Sequence, residues 1–419
     1  MNGRARAVLV AVLGLVAAAG WGPSAAGAGA DRAGRPPAVT APEAILVDAR
    51  DGHVLFRTAP DRRVPIASTT KLMTALVSAE KLPLNRRLRA GVYHAAPAES
   101  QIDLRPGERM SVADLLRAAM LASANDAAET LARGAGGSVR GFVRLMNRRA
   151  DELGLRKTHY ANPVGLDEAG NYSSARDLSR LARVVLKNSF LAETVAMTRA
   201  RLLTGAHQRV VANRNLLVGS VPWVDGVKTG HTLDAGYVLV GAGKRKGAQL
   251  VSVVLGTPSE SARDNDTLHL LQYGFRFYRR VHALQRQVAL ARPKVAFFGS
   301  RRVALRPAHG FTFALRRGER LRTMVDAPTT LHGPIDRGTR VGTVTVLVNG
   351  KPVETVALVT AKDVPHAGLA RKVVHYAVKP LLLVGLAVIA MLALDRRRRR
   401  LNAADAARRR RRRATAPNR

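Results

Sequence analysis

The sequence predicts an α+β fold in which helices cover one antiparallel sheet, followed by a small all-β domain and a C-terminal transmembrane helix. Three patterns carry this. Strand-like apolar runs open and close residues 43–282 while helical periodicity fills the middle. Short β-like runs broken by turn residues occupy 283–368. Finally, Leu381 to Leu394 is apolar without a break, and Arg396 to Arg400 follow at once.

Taken in chain order, Arg4 and Arg6 precede an apolar run from Ala7 to Ala19, too short to span a bilayer. Ala26-Gly27-Ala28 fits a small-residue cleavage site, so 1–28 reads as a secretory signal peptide, with an uncleaved anchor as the alternative. Residues 29–42 form a Pro-rich linker. "EAILVDARDGHVLFRTA" gives two short strands around Asp51-Gly52. From Ser68 to about Lys81 the apolar residues Leu72, Met73, Leu76 and Val77 keep helical spacing. Ser111 to Ala122 is a second helix with Ser111 and Asp114 as a capping pair, interrupted by "SAND" and resumed from Asp126 to Arg133. Helices over Ser138–Leu153 and Ser174–Lys187 flank the loop "HYANPVGLDEAGNY". "GYVLVGAGKRKGAQLVSVVLGT" is a strand pair with a basic turn, and "SARDNDTLHLLQYGFRFYRR" a helix. In the β-rich part, "VAFFG", "FTFAL" and "GTVTVLVNGKPVETVALV" read as strands, the last folded at Asn349-Gly350.

The C-terminal span is placed at 373–394, where Lys379 would have to snorkel; an amphipathic surface anchor is the alternative, weakened by the lack of a polar face. Residues 395–419 are an Arg-rich cytoplasmic tail, which by the positive-inside rule leaves the body of the chain on the extracytoplasmic side. The formal charge is +38 over 419 residues, and the tail, with twelve Arg and two Asp, supplies +10 of it, leaving +28. Most of that charge faces envelope polymers and lipid headgroups rather than nucleic acid. There are no cysteines, so the exported domains rest on their cores. No H-E-x-x-H occurs and the eleven histidines lack ligand spacing, so no metal or other cofactor is expected.

The chemistry centres on "IASTTKLMTAL". A serine hydroxyl needs a base to become a nucleophile, and Lys71 lies one helical turn from Ser68. The lysine must be neutral to act, and burial, a second cation and the positive end of the helix dipole all lower its pKa. Spacing alone is weak evidence: Ser78-Ala79-Glu80-Lys81 repeats it in the last turns of the same helix, where the dipole favours a charged lysine. What distinguishes Ser68 is the rest of the chain. Ser123-Ala124-Asn125 lies at a helix break, and Lys228-Thr229-Gly230 precedes a strand pair, making the ordered set S-x-x-K, S-x-N, K-T-G.

With "NPVGLD", "SSARDLSRLA", "NRNLL" and "LLQYGF" added, residues 40–280 resemble the D-alanyl-D-alanine carboxypeptidases, the low-molecular-mass penicillin-binding proteins. The β-rich part is similar to that family's C-terminal domain. The resemblance implies a serine β-lactamase/transpeptidase-like fold, with a five-stranded antiparallel sheet and a helical lobe enclosing the site. It implies peptidoglycan stem peptides as substrate and β-lactams as covalent inhibitors. Ser68 would be the acylated nucleophile, Lys71 its proton acceptor and Ser123 a relay to the leaving amine. Asn125 would line the opposite wall, Lys228 would keep Lys71 neutral, Thr229 would contact the substrate carboxylate, and Gly230 would permit close approach. The backbone N–H groups of Ser68 and His231 would form the oxyanion hole, and Arg263 and Arg214 are candidates for the cation holding the carboxylate. Two other readings stay open at this point: a serine β-lactamase, for which Glu168 would have to activate water, and a wall-binding protein that keeps the fold without the chemistry.

Overall fold

A computed structural model describes residues 35–414, so the signal peptide expected over 1–28 lies outside the described residues. The chain divides into two compact units: one holds the described residues up to Val281 with Phe313–Gly318, the other His282–Thr312 and the residues from Glu319 onward.

The first unit is built on a five-stranded antiparallel sheet of β1 (Glu43–Asp48), β2 (Val54–Thr58), β3 (Val224–Thr232), β4 (Gly236–Arg245) and β5 (Ala248–Thr257), in the order β2-β1-β5-β4-β3. β1 pairs with β5 from Glu43↔Leu255 to Asp48↔Leu250, which joins the first strands of this sheet to its last and leaves the helical residues as an insertion. Period two then sorts the side chains. Ile45, Val47, Val251 and Val253 pack into the helical block, while Ala44, Leu46, Leu250 and Val254 face Leu270 and Leu271. With both faces covered, these strands read as continuous apolar runs rather than as alternation. Each such Val, Leu or Ile side chain contributes roughly 1.5–3 kcal/mol by burial.

The helices are α1 (Lys71–Lys81), α2 (Val112–Arg117), α3 (Asn125–Gly136), α4 (Val139–Glu152), α5 (Ala175–Val185), α6 (Ser189–Val195) and α7 (Glu260–Phe275). Serines cap four of them: Ser111, Ser138, Ser174 and Ser259 accept from the backbone N–H of Asp114, Gly141, Asp177 and Ala262. Two expectations need correction. The helix expected through Arg280 stops at Phe275, because Tyr278 is buried with its hydroxyl donating to Asp48 at 2.8 Å, and the chain continues as a strand over Tyr278–Leu284. "VAFFG" is mostly turn: only its Val295 is strand, ending the two-residue Lys294–Val295, and Phe297 takes φ +68°. An apolar pentapeptide of this kind has no period that separates turn from strand.

The second unit carries a four-stranded sheet of β6 (Leu305–Pro307), β7 (Leu321–Asp326), β8 (Arg340–Val348) and β9 (Lys351–Thr360), in the order β6-β9-β8-β7. Asn349 at φ +50° and Gly350 at φ +80° close β8 onto β9 through the left-handed pair that a two-residue hairpin requires. Leu305, Val344, Val346, Val356 and Leu358 form its core. Beyond it run α8 (Leu369–Val373), a π turn over Val374–Val378, and α9 (Lys379–Ala414). Within Leu369–Ala404 an 18-residue window has a mean hydropathy of 2.4 and no buried share, enough by length and composition to cross a membrane. The helix continues past Leu394 through the first arginine run instead of ending there.

Candidate active site

Ser68 sits in a 3₁₀ turn, Ala67–Thr70, and the α-helix proper begins at Lys71. This tight turn brings the Lys71 ammonium nitrogen to 3.0 Å from Ser68 Oγ, while the same nitrogen donates to the Val164 carbonyl at 2.5 Å. Lys71 is fully buried and Ser68 partly exposed. The second Ser-x-x-K copy is different: Ser78 is buried in the core and Lys81 is exposed at the helix end.

Ser123 follows a π-helical turn, Ala118–Ala122, and takes a left-handed conformation at φ +62°, which ends that helix before α3 starts at Asn125. Its hydroxyl is buried and makes no hydrogen bond, and the same holds for Asn125 Oδ1. Asn125 Nδ2 is engaged, donating to Glu99 at 2.7 Å. Glu99 also accepts from the Tyr93 hydroxyl and from Ala96 N–H. Asp126, next in sequence, accepts from the Ile102 and Leu104 N–H groups, so one turn of α3 clamps the loop that carries Glu99. Neither Glu99 nor Tyr93 stands out in the sequence, since the loop has no periodicity and no motif.

β3 brings in Lys228, Thr229, Gly230 and His231. Lys228 is buried and its ammonium donates to the Thr229 carbonyl at 2.8 Å. Thr229 is also buried, whereas the His231 ring is exposed and stacks on Tyr237 at 4.0 Å. Gly230 is required by space: a Cβ there would lie 2.9 Å from Ser68 N, 2.8 Å from Val238 Cγ2 and 3.0 Å from Ala67 Cβ. Gly165 guards the other side, at φ +89°, where a Cβ would lie 2.0 Å from the Ala67 carbonyl oxygen. The serine turn is thus held between β3 and the Asn162–Leu166 loop. Gly230→Ala is expected to force β3 away from Ser68 and lower penicillin acylation at least tenfold. Its thermal unfolding midpoint should move little by comparison; equal loss of both would mean the glycine serves folding only.

Burial and nearby cations lower the pKa of both lysines. Burial, then the charges of Lys228 and Arg214, push Lys71 well below the usual lysine range, against the pull of Glu99 and Asp126. Burial, then Arg214 and Arg263, brings Lys228 down to about 7. Lys71 thus feels the cation of Lys228 as well as its own desolvation.

The two arginines differ. Arg214 is exposed, its backbone N–H held by the Leu121 carbonyl, and its charge reaches both lysines. Arg263 lies in the first turn of α7 and is buried, with Nη2 at 2.7 Å from Glu260 and Nε at 2.9 Å from Asp264. Glu168 is exposed and accepts from Asn162 Nδ2 at 2.8 Å, which makes it a loop brace.

An antiparallel sheet whose edge strand lies against a serine turn, with a helical lobe on the other side, is the arrangement expected of a serine β-lactamase/transpeptidase-like protein. Residues 30–259 match the family model for D-alanyl-D-alanine carboxypeptidase, and residues 289–366 match that for the penicillin-binding protein 5 C-terminal domain. This chain belongs to the D-alanyl-D-alanine carboxypeptidase family. It is 32% identical to the D-alanyl-D-alanine carboxypeptidase DacC of Escherichia coli, over 79% of this chain and 86% of that one. It is 30% identical to DacF of Bacillus subtilis, over 78% and 87%. Among solved structures, penicillin-binding protein 5 of Haemophilus influenzae is 28% identical, with a TM-score of 0.56 over 79% of this chain and 99% of that one. The β-lactamase and non-catalytic readings are not favoured.

Proposed function

We propose that this chain removes the terminal D-alanine of peptidoglycan stem pentapeptides through an acyl-enzyme on Ser68, and that β-lactams acylate the same oxygen. The observation that carries this is a buried, proton-poor Lys71 nitrogen 3.0 Å from a partly exposed Ser68 hydroxyl. Lys71 takes the Ser68 proton as Oγ attacks the carbonyl carbon of the penultimate D-alanine. The backbone N–H groups of Ser68 and His231 hold the oxyanion. As the amide C–N bond breaks, the proton passes through the Ser123 hydroxyl to the leaving amine, and D-alanine departs. Water then attacks the ester, returning a proton to Ser68. Asn125 Oδ1 accepts a substrate amide N–H, its orientation set by the Nδ2 bond to Glu99.

The free carboxylate defines an exopeptidase, and Thr229 with Arg263 binds it in this reading. Arg263 is pre-oriented by Glu260 and Asp264 while its Nη1 keeps a donor free. Arg214, being exposed, assists from solvent. The residues 373–394 anchor the protein as a single span, with both folded units on the extracytoplasmic side and the arginine tail in the cytoplasm.

The test is D-alanine release by the purified full-length chain from a pentapeptide ending in D-Ala-D-Ala and from its C-terminal amide. Release from the free acid alone is expected, and penicillin binding without any release would refute the carboxypeptidase reading. Arg263→Ala should lower kcat/KM for the free acid about 10- to 150-fold, the loss of a charged hydrogen bond worth roughly 1.5–3 kcal/mol. The amide should be hardly affected. If the loss falls on Arg214→Ala instead, Arg214 holds the carboxylate and Arg263 braces α7.

A further inference from the structure

Away from the active site, the second unit carries a cleft of about 830 Å³ lined by Arg292, Arg301, Arg302, Arg306, Arg337 and Lys362, with Asp363 as its acidic member. All six cations are exposed. Among the described residues none of them is ion-paired, and the one contact Asp363 makes to this group is with the backbone N–H of Arg337 at 2.6 Å. A protein that only needed charge for solubility would intersperse the two signs; six cations around one concavity instead suit an anion.

The position of the cleft points to which anion. Arg301 lies 5.7 Å from the Phe298 ring, and Arg371, in the first turn of the C-terminal helix, lies 4.3 Å from the same ring. Phe297, beside it, packs on His375 and Tyr376 at 5.4 and 5.6 Å, and Lys372 lies 5.9 Å from its centroid. Aromatic rings and basic side chains where an apolar helix begins are the composition of a membrane interface. The turn that replaced the expected strand at "VAFFG" therefore sets Arg301, on the cleft rim, beside the entry of the apolar helix.

We propose that this cleft binds the headgroups of anionic phospholipids in the leaflet that the helix enters, docking the β-rich unit on the membrane surface. The proposal rests on reading 373–394 as a membrane anchor. Guanidinium groups pair with phosphate oxygens through two parallel hydrogen bonds, and each cation near an anionic surface adds to the attraction, screened by salt.

The chain has no cysteine, so Ser300→Cys allows one fluorophore beside Arg301. Full-length protein would be placed in nanodiscs of phosphatidylcholine, with or without phosphatidylglycerol, containing headgroup-quencher lipid. Quenching should rise severalfold with phosphatidylglycerol and fall with salt. The triple change Arg302→Glu, Arg306→Glu, Arg337→Glu should abolish that dependence while penicillin labelling stays normal, showing an intact first unit. Equal quenching in both lipids, or dependence unchanged in the triple variant, overturns the proposal. So does a probe that answers to soluble polyglycerol phosphate but not to the anionic discs, which would make the ligand a wall polymer. Resistance to alkaline carbonate extraction reads the anchor separately, so failure of the anchor and failure of the cleft are distinguishable.

Discussion

Ser68→Ala is expected to leave a folded protein that neither releases D-alanine nor becomes covalently labelled by a fluorescent penicillin. The loss should be complete at the level of labelling, because the acyl bond is made to the atom removed. The structural cost is small: Ser68 is partly exposed, and the 3₁₀ turn is closed by the Thr69 N–H and hydroxyl on the Ile66 carbonyl. Ser78→Ala supplies the internal control. That hydroxyl is buried in α1 without a hydrogen bond, so labelling should persist. Labelling that survives Ser68→Ala in folded protein would disprove the assignment of the nucleophile.

Lys71→Arg, which keeps the charge, should lower acylation by at least about 10²-fold, the usual scale for losing acid–base assistance. Arginine stays protonated in proteins and cannot accept the Ser68 proton. The wild-type acylation rate should fall as pH drops through the lowered Lys71 pKa, since only the neutral amine is active. Lys228→Met removes a cation that lowers this pKa, so the acid limb should move to higher pH. An acid limb that stays in place would mean that the Lys228 charge does not tune Lys71. Near-normal acylation in Lys71→Arg would refute the neutral-lysine mechanism itself.

How much of this was legible depended on whether the information lies along the chain or across it. Ser68 with Lys71, Ser123 with Asn125, and Lys228 with Gly230 are short spacings, and one turn or one strand delivers each pair. The serine caps at 111, 138 and 174 are local for the same reason. Glu99 could not be read, because its role arises from a contact with Asn125, 26 residues away, out of a loop without period. The end of α7 and the turn at Phe297 were missed because apolar and aromatic runs fit several backbones, and tertiary burial of Tyr278 and the rings near Phe297 chose among them. Arg263 was named from its place after K-T-G, yet its two carboxylate partners within α7, Glu260 and Asp264, emerge only with the side chains in place.

The buried lysines have a consequence for the whole molecule: folding releases protons. Lys228 titrates at about 7 in the native state against 10.5 for the ordinary side chain, and Lys71 is also lowered. Between those limits the unfolded chain binds protons that the native chain does not, so this contribution makes stability rise with pH. Below about 7 Lys228 is charged in both states and its desolvation penalty is felt in full. The thermal midpoint should therefore climb from pH 6.5 toward pH 9, and the climb should flatten in a Lys71→Met, Lys228→Met double variant. An unchanged slope in that variant would place the proton release elsewhere. The same burial that prepares Ser68 for attack thus leaves the resting enzyme least secure in acid.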